Sequence, residues 1–397
     1  MPFYDSGQAG AKPLTTNTKG TVGVTTVRHF SGQRQSAHKP FETVASEESQ
    51  AALRQMSLER LMAYGVHHAD AMELRGRVWS GETWQSVAYD LAETCLSRAG
   101  PTVAPETPQT SANRLFRASA LVRMSQMMMV GNSAERSAIV RRAGQLYEEA
   151  SALVADRERI LFETPNGLLT AWMHHSKASK AVGWVVVIGG IEGWAMDFGE
   201  MGNALAERGV NAVALDGPGQ GESRMVHGHF LNLGWEAAYA AVFDALQRSN
   251  PSLPIGFIGN SMGGAVGMHL ARIDRRIAAF CDNGGGPKPA RPRSSTTFAQ
   301  KMAAHVGDVS IEASTEVWRS IVPIDPDLPV RCPLLVVHGA LDPVVSTEDA
   351  KAMFDSGVSD DKHLVIFDDG DHCIYNHADD KHALIGDWIV SRLANAQ

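Results

Sequence analysis

The sequence predicts an α/β protein: a doubly wound, mostly parallel sheet preceded by an all-helical domain. Three observations predict it. From Glu47 to about Asp156, apolar residues recur at spacings of three and four, and no strand pattern interrupts them. After Ala155, short apolar runs alternate with amphipathic stretches, as in βα units stacked into a parallel sheet. Residues with chemistry then fall where predicted strands end, which is where doubly wound sheets place function.

The elements follow in order. Residues 1–45 are rich in Gly, Thr, Ser and Lys and read as an extended or flexible arm, with a weak strand pattern in "TVGVTTV". Helices are expected at "EESQAALRQMSLERLMAYGV", "ETWQSVAYDLAETCLSRA", "SANRLFRASALVRMSQMMMV" and "SAERSAIVRRAGQLYEEASALV". Ser111 and Ser133 are the expected N-caps, with "APETPQT" breaking the run before Ser111. This defines a helical domain over 46–157.

"RILFET" and "LLTAWMHH" flank a Pro-Asn-Gly turn and predict a hairpin. Strands "GWVVVIGG", "VNAVALD", "IGFIGN" and "IAAFCDN" then alternate with helices "GEMGNALAERG", "GWEAAYAAVFDALQR" and "MGGAVGMHLARI". The proline-containing stretch 286–333 reads as irregular and as a candidate lid. "LLVVHG", "STEDAKAMFDS", "HLVIFDD" and "KHALIGDWIVSRLAN" complete a core over 158–397.

Composition narrows the function. The 397 residues are 44% hydrophobic and 20% charged, an ordinary globular balance. The net charge of −8 lacks the basic excess of a nucleic-acid binder. Cys95, Cys281, Cys332 and Cys373 show no CxxC spacing, which argues against a zinc knuckle or thioredoxin motif and suits a reducing compartment. The N-terminus lacks the apolar core of a signal peptide, and no apolar run reaches membrane-spanning length. The expectation is a cytoplasmic protein with a small-molecule substrate, no nucleic-acid or membrane partner, and no cofactor or metal. His67-His68 and His174-His175 are adjacent pairs, not ligands spaced by four. "LDGPGQGES" has no Walker lysine; with Pro218 in it and no helix expected to open at Gly221, it reads as a rigid turn beside the pocket.

The catalytic candidates start from "FIGNSMGGAVG". Gly259-Asn260-Ser261-Met262-Gly263 fits G-x-S-x-G between a strand and a helix, a turn that projects a serine oxygen above the sheet at a helix N-terminus. A serine needs a base. Among 15 histidines, His372 in "FDDGDHC" lies after the last strand and is preferred over His377 and His338. The imidazole needs an acid. Asp342 in "VVHGALDPVV" is preferred over Asp369 and Asp371, which are expected to shape the loop around His372. Negative charge on a carbonyl oxygen needs two donors. The amide of Met262 is one, and the "GGIEGW" loop supplies the other, Ile191 with Gly190 as fallback. Gly190, Glu192 and Trp194 are the substrate-binding candidates from that loop. Trp79, Trp84 and the methionines of "RMSQMMMV" are open between pocket lining and core.

"GNSMGG", "LDGPGQGES", "HGALDPVV" and "GDHC", in this order, resemble the α/β-hydrolase superfamily over about residues 158–397. "GGIEGW" and the helical "SANRLFRASALVRMSQ" are similar to a narrower subgroup with an N-terminal helical cap. That subgroup includes 2,6-dihydroxypseudooxynicotine hydrolase, Ayg-type polyketide-shortening hydrolases and FrsA-like esterases. The resemblance implies a Ser261–Asp342–His372 triad, a substrate cavity between cap and core, and a homodimer. It implies cleavage of a carbon–carbon bond beside a ketone, or of an ester. An extra active-site carboxylate is also implied, for which Glu192, Asp197 and Asp282 are the candidates.

Overall fold

Helix-capping residues and apolar periodicity set the first half of the molecule. The structure, a computed structural model, describes residues 25–30, 44–98, 105–290 and 296–396. Strand β1 spans Thr25–Phe30. Helices α1 (Glu47–Gln55), α2 (Leu58–Ala63), α3 (His68–Trp79), α4 (Trp84–Ser97), α5 (Pro108–Ser125) and α6 (Ala134–Val154) follow. Among the described residues no strand lies between them. Ser133 caps α6 by accepting from the Arg136 amide, as expected. Ser111 does not cap α5. The helix begins one turn earlier because Thr107 accepts from the Thr110 amide and Pro108 takes the first position, where its missing N–H costs nothing. "APETPQT" therefore starts the helix rather than only breaking the previous one.

The hairpin is present as β2 (Arg157–Thr164) and β3 (Gly167–His174), antiparallel across Pro165-Asn166, with Gly167 at φ 128°. Then come β4 (Trp184–Ile188), α7 (Gly199–Glu207), β5 (Asn211–Leu215), α8 (Gly221–Met225), α9 (Trp235–Ser249), β6 (Ile255–Asn260), α10 (Met262–Ile273) and β7 (Ile277–Asn283). Next are α11 (Thr296–His305), α12 (Ile311–Arg319), β8 (Leu334–Gly339), α13 (Thr347–Ser356), β9 (Lys362–Phe367) and α14 (Ala378–Asn395). Two expectations are corrected. The stretch 286–333 contains two helices, the second capped by Ser310 and anchored through the Trp318 indole to the Met302 carbonyl. Its flanking prolines masked the periodicity between them. A short helix also begins at Gly221, which reaches φ 39° and lets Asp216 Oδ2 accept from the Glu222 amide.

The nine strands run in the order β1-β9-β8-β7-β6-β4-β5-β3-β2. All neighbours are parallel except β2 with β3 and β3 with β5. The last three residues of the arm's strand pattern, Thr25–Val27, open β1, which pairs with β9; residues 1–24 and 31–43 of the arm lie outside the described residues. Both faces of the central strands are buried. Val185 and Val187 of β4 face one apolar cluster, Val186 and Ile188 the other. That explains their unbroken hydrophobic reading. The first cluster continues from the sheet into α1–α6 through Tyr147, Leu121 and Trp172, with the Tyr147 and Trp172 rings edge to face at 4.6 Å. Chain order reverses at β4. β5 lies on one side and β6 on the other, with Ile188 in register with Gly259. This reversal opens a crevice at the carboxyl ends of β4 and β6.

Candidate active site

Ser261 sits at that crevice, in the turn between β6 and α10, at φ 57° and ψ −123°. Such a backbone is costly for a non-glycine residue and persists only where its surroundings hold it. The flanking glycines are required by contact. A Cβ on Gly259 would lie 2.2 Å from the Gly263 oxygen, and one on Gly263 would lie 2.5 Å from the Gly189 oxygen. The motif spacing is therefore a packing condition.

His372 follows β9 and faces Ser261. The serine hydroxyl lies 2.8 Å from His372 Nε2 and donates to it. His372 Nδ1 donates to Asp342 Oδ2 at 2.7 Å. The Asp342 side chain is fully buried, and its Oδ1 accepts from the amides of Val344 and Val345 at 2.6 and 3.0 Å. Burial opposes ionisation of Asp342, but these bonds outweigh it and hold the carboxyl below its usual range. Burial likewise lowers the His372 pKa, but Cys373 and the Asp342 carboxylate outweigh it, so the imidazole titrates above its ordinary value.

The other histidines and acids separate. His377 occupies the N-cap position of α14 without a side-chain capping bond and pairs with Asp369 at 2.9 Å. Asp371 accepts from the Tyr375 amide and shapes the loop. His338 is buried beneath the site in β8.

The loop after β4 lies against the serine. A Cβ on Gly190 would stand 2.8 Å from Ser261 Cβ, 3.0 Å from its Oγ and 3.2 Å from the Met262 amide nitrogen. Among the described residues, the amides of Ile191 and Met262 donate no hydrogen bond. Two unspent donors beside a serine hydroxyl are what a developing oxyanion needs.

These residues border a cavity of about 880 Å³. Gln55, Arg60 and Tyr64 line it from α1 and α2; Phe298 and Lys301 line it from α11. Gly190, Ile191 and Glu192 line it as expected. Trp194 does not. It is buried against Val140 and Met225, between the guanidinium groups of Arg136 and Arg224. The loop turns inward after Gly193, where any side chain would collide with the Tyr64 hydroxyl, and this carries Trp194 away from the cavity. Trp84, Met124 and Met127 are core residues, with the Trp84 indole donating to the Met124 carbonyl. The "LDGPGQGES" turn is absent from the cavity wall.

Comparison with known proteins places the chain. The family model for serine aminopeptidase S33 matches residues 179–281 and 292–379. The 2,6-dihydropseudooxynicotine hydrolase of Paenarthrobacter nicotinovorans is 24% identical over 343 residues, 84% of this chain and 91% of that protein. The monoacylglycerol lipase of Mycolicibacterium smegmatis is 23% identical over 249 residues, 53% of this chain and 89% of the lipase. In structure, 2,6-dihydroxy-pseudo-oxynicotine hydrolase superposes with a TM-score of 0.73 at 23% identity, covering 86% of this chain and 97% of the other. AbyA5 superposes with a TM-score of 0.61 at 18% identity, covering 79% and 91%. The chain is an α/β-hydrolase.

Three side chains of this α/β-hydrolase that support the site carried no sequence signal. Gln220 Nε2 donates to the Gly189 and Gly190 carbonyls at 2.7 and 2.9 Å and holds the donor loop in place. Asn260 donates to the Ile188 carbonyl and accepts from Asn283, which accepts the Ser261 amide through its own carbonyl. Lys381 is buried and donates to the Cys373 carbonyl at 3.0 Å. This fixes the residue after His372, whose φ is 58°. The "GQG" and "GNS" contexts were visible, but nothing in them reports a bond to the end of β4 or its loop, 30 residues away for Gln220 and 72 for Asn260. Of the carboxylate candidates, Glu192 faces the cavity and pairs with Lys301 at 3.0 Å. Asp197 is buried against Arg123, and Asp282 accepts from the Gly285 amide beneath α10. No helix among the described residues is long and apolar enough to cross a membrane.

Proposed function

We propose that this hydrolase works through a Ser261–His372–Asp342 triad on a carbonyl of a moderately hydrophobic small molecule. The observation that carries the reading is the unbroken chain of two short hydrogen bonds, 2.8 Å from Ser261 to His372 and 2.7 Å from His372 to Asp342. Ser261 Oγ attacks the carbonyl carbon while His372 Nε2 takes its proton. The oxyanion forms against the amides of Met262 and Ile191. The helical segment α1–α6 acts as a cap, since Gln55, Arg60 and Tyr64 close the cavity over the serine.

The bond we favour is a carbon–carbon bond beside a ketone. The bond's electron pair leaves on the α-carbon as an enolate, and His372 returns the serine's proton to it. Water then releases the acyl group from Ser261. The support is extent of likeness. The 343-residue alignment to 2,6-dihydropseudooxynicotine hydrolase is longer than residues 158–397 and so reaches into the helical segment. The lipase alignment supports ester hydrolysis by the same triad as a second reading. Glu192 is the proposed cavity carboxylate. The resemblance extends the proposal to a homodimer, which light scattering reads directly.

A fluorophosphonate probe tests the nucleophile: labelling lost in Ser261→Ala supports it, and labelling retained refutes it. A panel of esters and 1,3-diketones with product masses decides the bond. Diketone cleavage supports the first reading; turnover of esters alone supports the second.

A further inference from the structure

Among the described residues, three Arg and Lys side chains border the cavity, and they differ in their partners. Lys301 is paired with Glu192 at 3.0 Å. Lys288 is exposed where it borders the cavity. Arg60 has no carboxylate within 4 Å among the described residues. Its Nη1 donates to the Gln55 carbonyl and its Nη2 to the Tyr64 hydroxyl, both at 3.1 Å. Its Nε is buried without a partner. A guanidinium carries five N–H donors and no acceptor, so most of its donor capacity is unspent.

Two aromatic residues hold it. The Arg60 guanidinium lies 5.1 Å from the Tyr64 ring centroid and 5.5 Å from that of Tyr375. The two rings meet edge to face, and their hydroxyls are 2.8 Å apart. Burial pushes both phenols up, so both keep their protons. Of those two protons, one bridges the pair and the other is left to donate. Tyr375 is three residues beyond His372, and Tyr64 lies against Gly193 of the donor loop.

A fixed, half-buried cation beside a spare O–H donor, on the cap side of the cavity, is matched by a delocalised oxyanion. We propose that Arg60, with the Tyr64–Tyr375 hydroxyl pair, binds a negatively charged oxygen group of the substrate, either a carboxylate or an ionised 1,3-dicarbonyl. The substrate class is then an acidic acyl compound or ketone, with its anion held by the cap while its carbonyl meets Ser261. This rests on the reading of the Ser261 cavity as the substrate site.

The test is binding to the full-length Ser261→Ala chain, where turnover cannot intervene. Calorimetry compares monomethyl adipate, which carries a carboxylate, with its neutral counterpart dimethyl adipate. The charged probe should bind about tenfold to hundredfold more tightly. Adding Arg60→Met should erase the preference while leaving the affinity for dimethyl adipate, and Arg60→Lys should restore part of it. Benzoylacetone separates the two sources of charge. Its affinity should rise as alkaline pH ionises it, and only while Arg60 is present, if the site takes enolates; a flat response restricts the site to carboxylates. Equal affinities for the two adipates together with a flat benzoylacetone response, including no binding of any of the three, overturn the proposal. So does a preference that survives Arg60→Met and disappears in Lys301→Met. Fluorophosphonate labelling of Ser261 in the wild-type chain reports on the triad alone, so the two readings can fail separately.

Discussion

Arg123 of α5 and Asp197, in the turn after β4, form an ion pair at 3.0 Å with both side chains only 3% exposed. Arg123 also donates to the Tyr64 carbonyl at 2.7 Å, and Asp197 accepts from the Trp194 amide at 2.9 Å. The pair thus fastens the helical segment to the loop that carries Ile191. Removing one partner strands the other charge in the interior, so Arg123→Met should cost about 3–5 kcal/mol. Arg123→Met/Asp197→Leu should be less destabilised than the two single changes summed. Denaturant unfolding measures both; strict additivity would deny the coupling.

Ser261→Ala should reduce kcat by about 10⁴-fold or more and leave the unfolding midpoint within about 1 kcal/mol of wild type. The substitution removes only an oxygen at a position whose backbone is set by Gly259 and Gly263. A confirmed substrate turned over at the wild-type rate would reject the nucleophile.

The pH profile follows from the His372–Asp342 contact. The raised pKa of His372 means that kcat/KM should increase with pH through a midpoint above the ordinary histidine value of 6.5, because only the neutral imidazole accepts the serine proton. The stability contribution of this raised group runs the other way. It is fully present below the unfolded pKa and lost as pH rises through the folded one. The depressed pKa of Asp342 contributes stability above its unfolded pKa, lost as pH falls through the folded value. Asp342→Asn should move the activity midpoint down and lower kcat by about 10³–10⁴-fold. An unmoved midpoint would show that the carboxylate does not tune the imidazole.

Gly190→Ala should lower kcat by about 10²–10³-fold with little loss of stability. The added methyl would stand 2.8 Å from Ser261 Cβ, so the loop must retreat and take the Ile191 amide with it. An unimpaired Ala variant would mean that this loop contributes no donor.

Much of the fold was legible because local chemistry announces it. Helical periodicity marked α4 and α6, the Pro-Asn-Gly turn marked β2 and β3, and continuous apolar runs marked β4, β6 and β8. The helices α11 and α12 were hidden by the prolines around them, and the start of α5 by the choice between Thr107 and Ser111 as cap. At the site, Ser261, Asp342 and His372 were marked by their place at strand ends, and the structure brings them into contact. Trp194 was placed in the pocket by proximity in sequence to Gly190, but a turn at Gly193 sends it into the core. Arg60, Gln220 and Lys381 were invisible, since a buried polar side chain looks the same in sequence whether it meets solvent or a carbonyl.

The sequence by itself determined the alternation of strands and helices, the glycines at the serine turn and the order of serine, acid and histidine. Those depend on neighbours within a few residues, where backbone preference and apolar period act directly. Only the tertiary structure decided which cations face the cavity, which of them meets a carboxylate, and which side chain holds the loop at Gly190 in place. These depend on distances between segments far apart in the chain, set by packing α1–α6 onto the sheet, and no local pattern encodes such a distance.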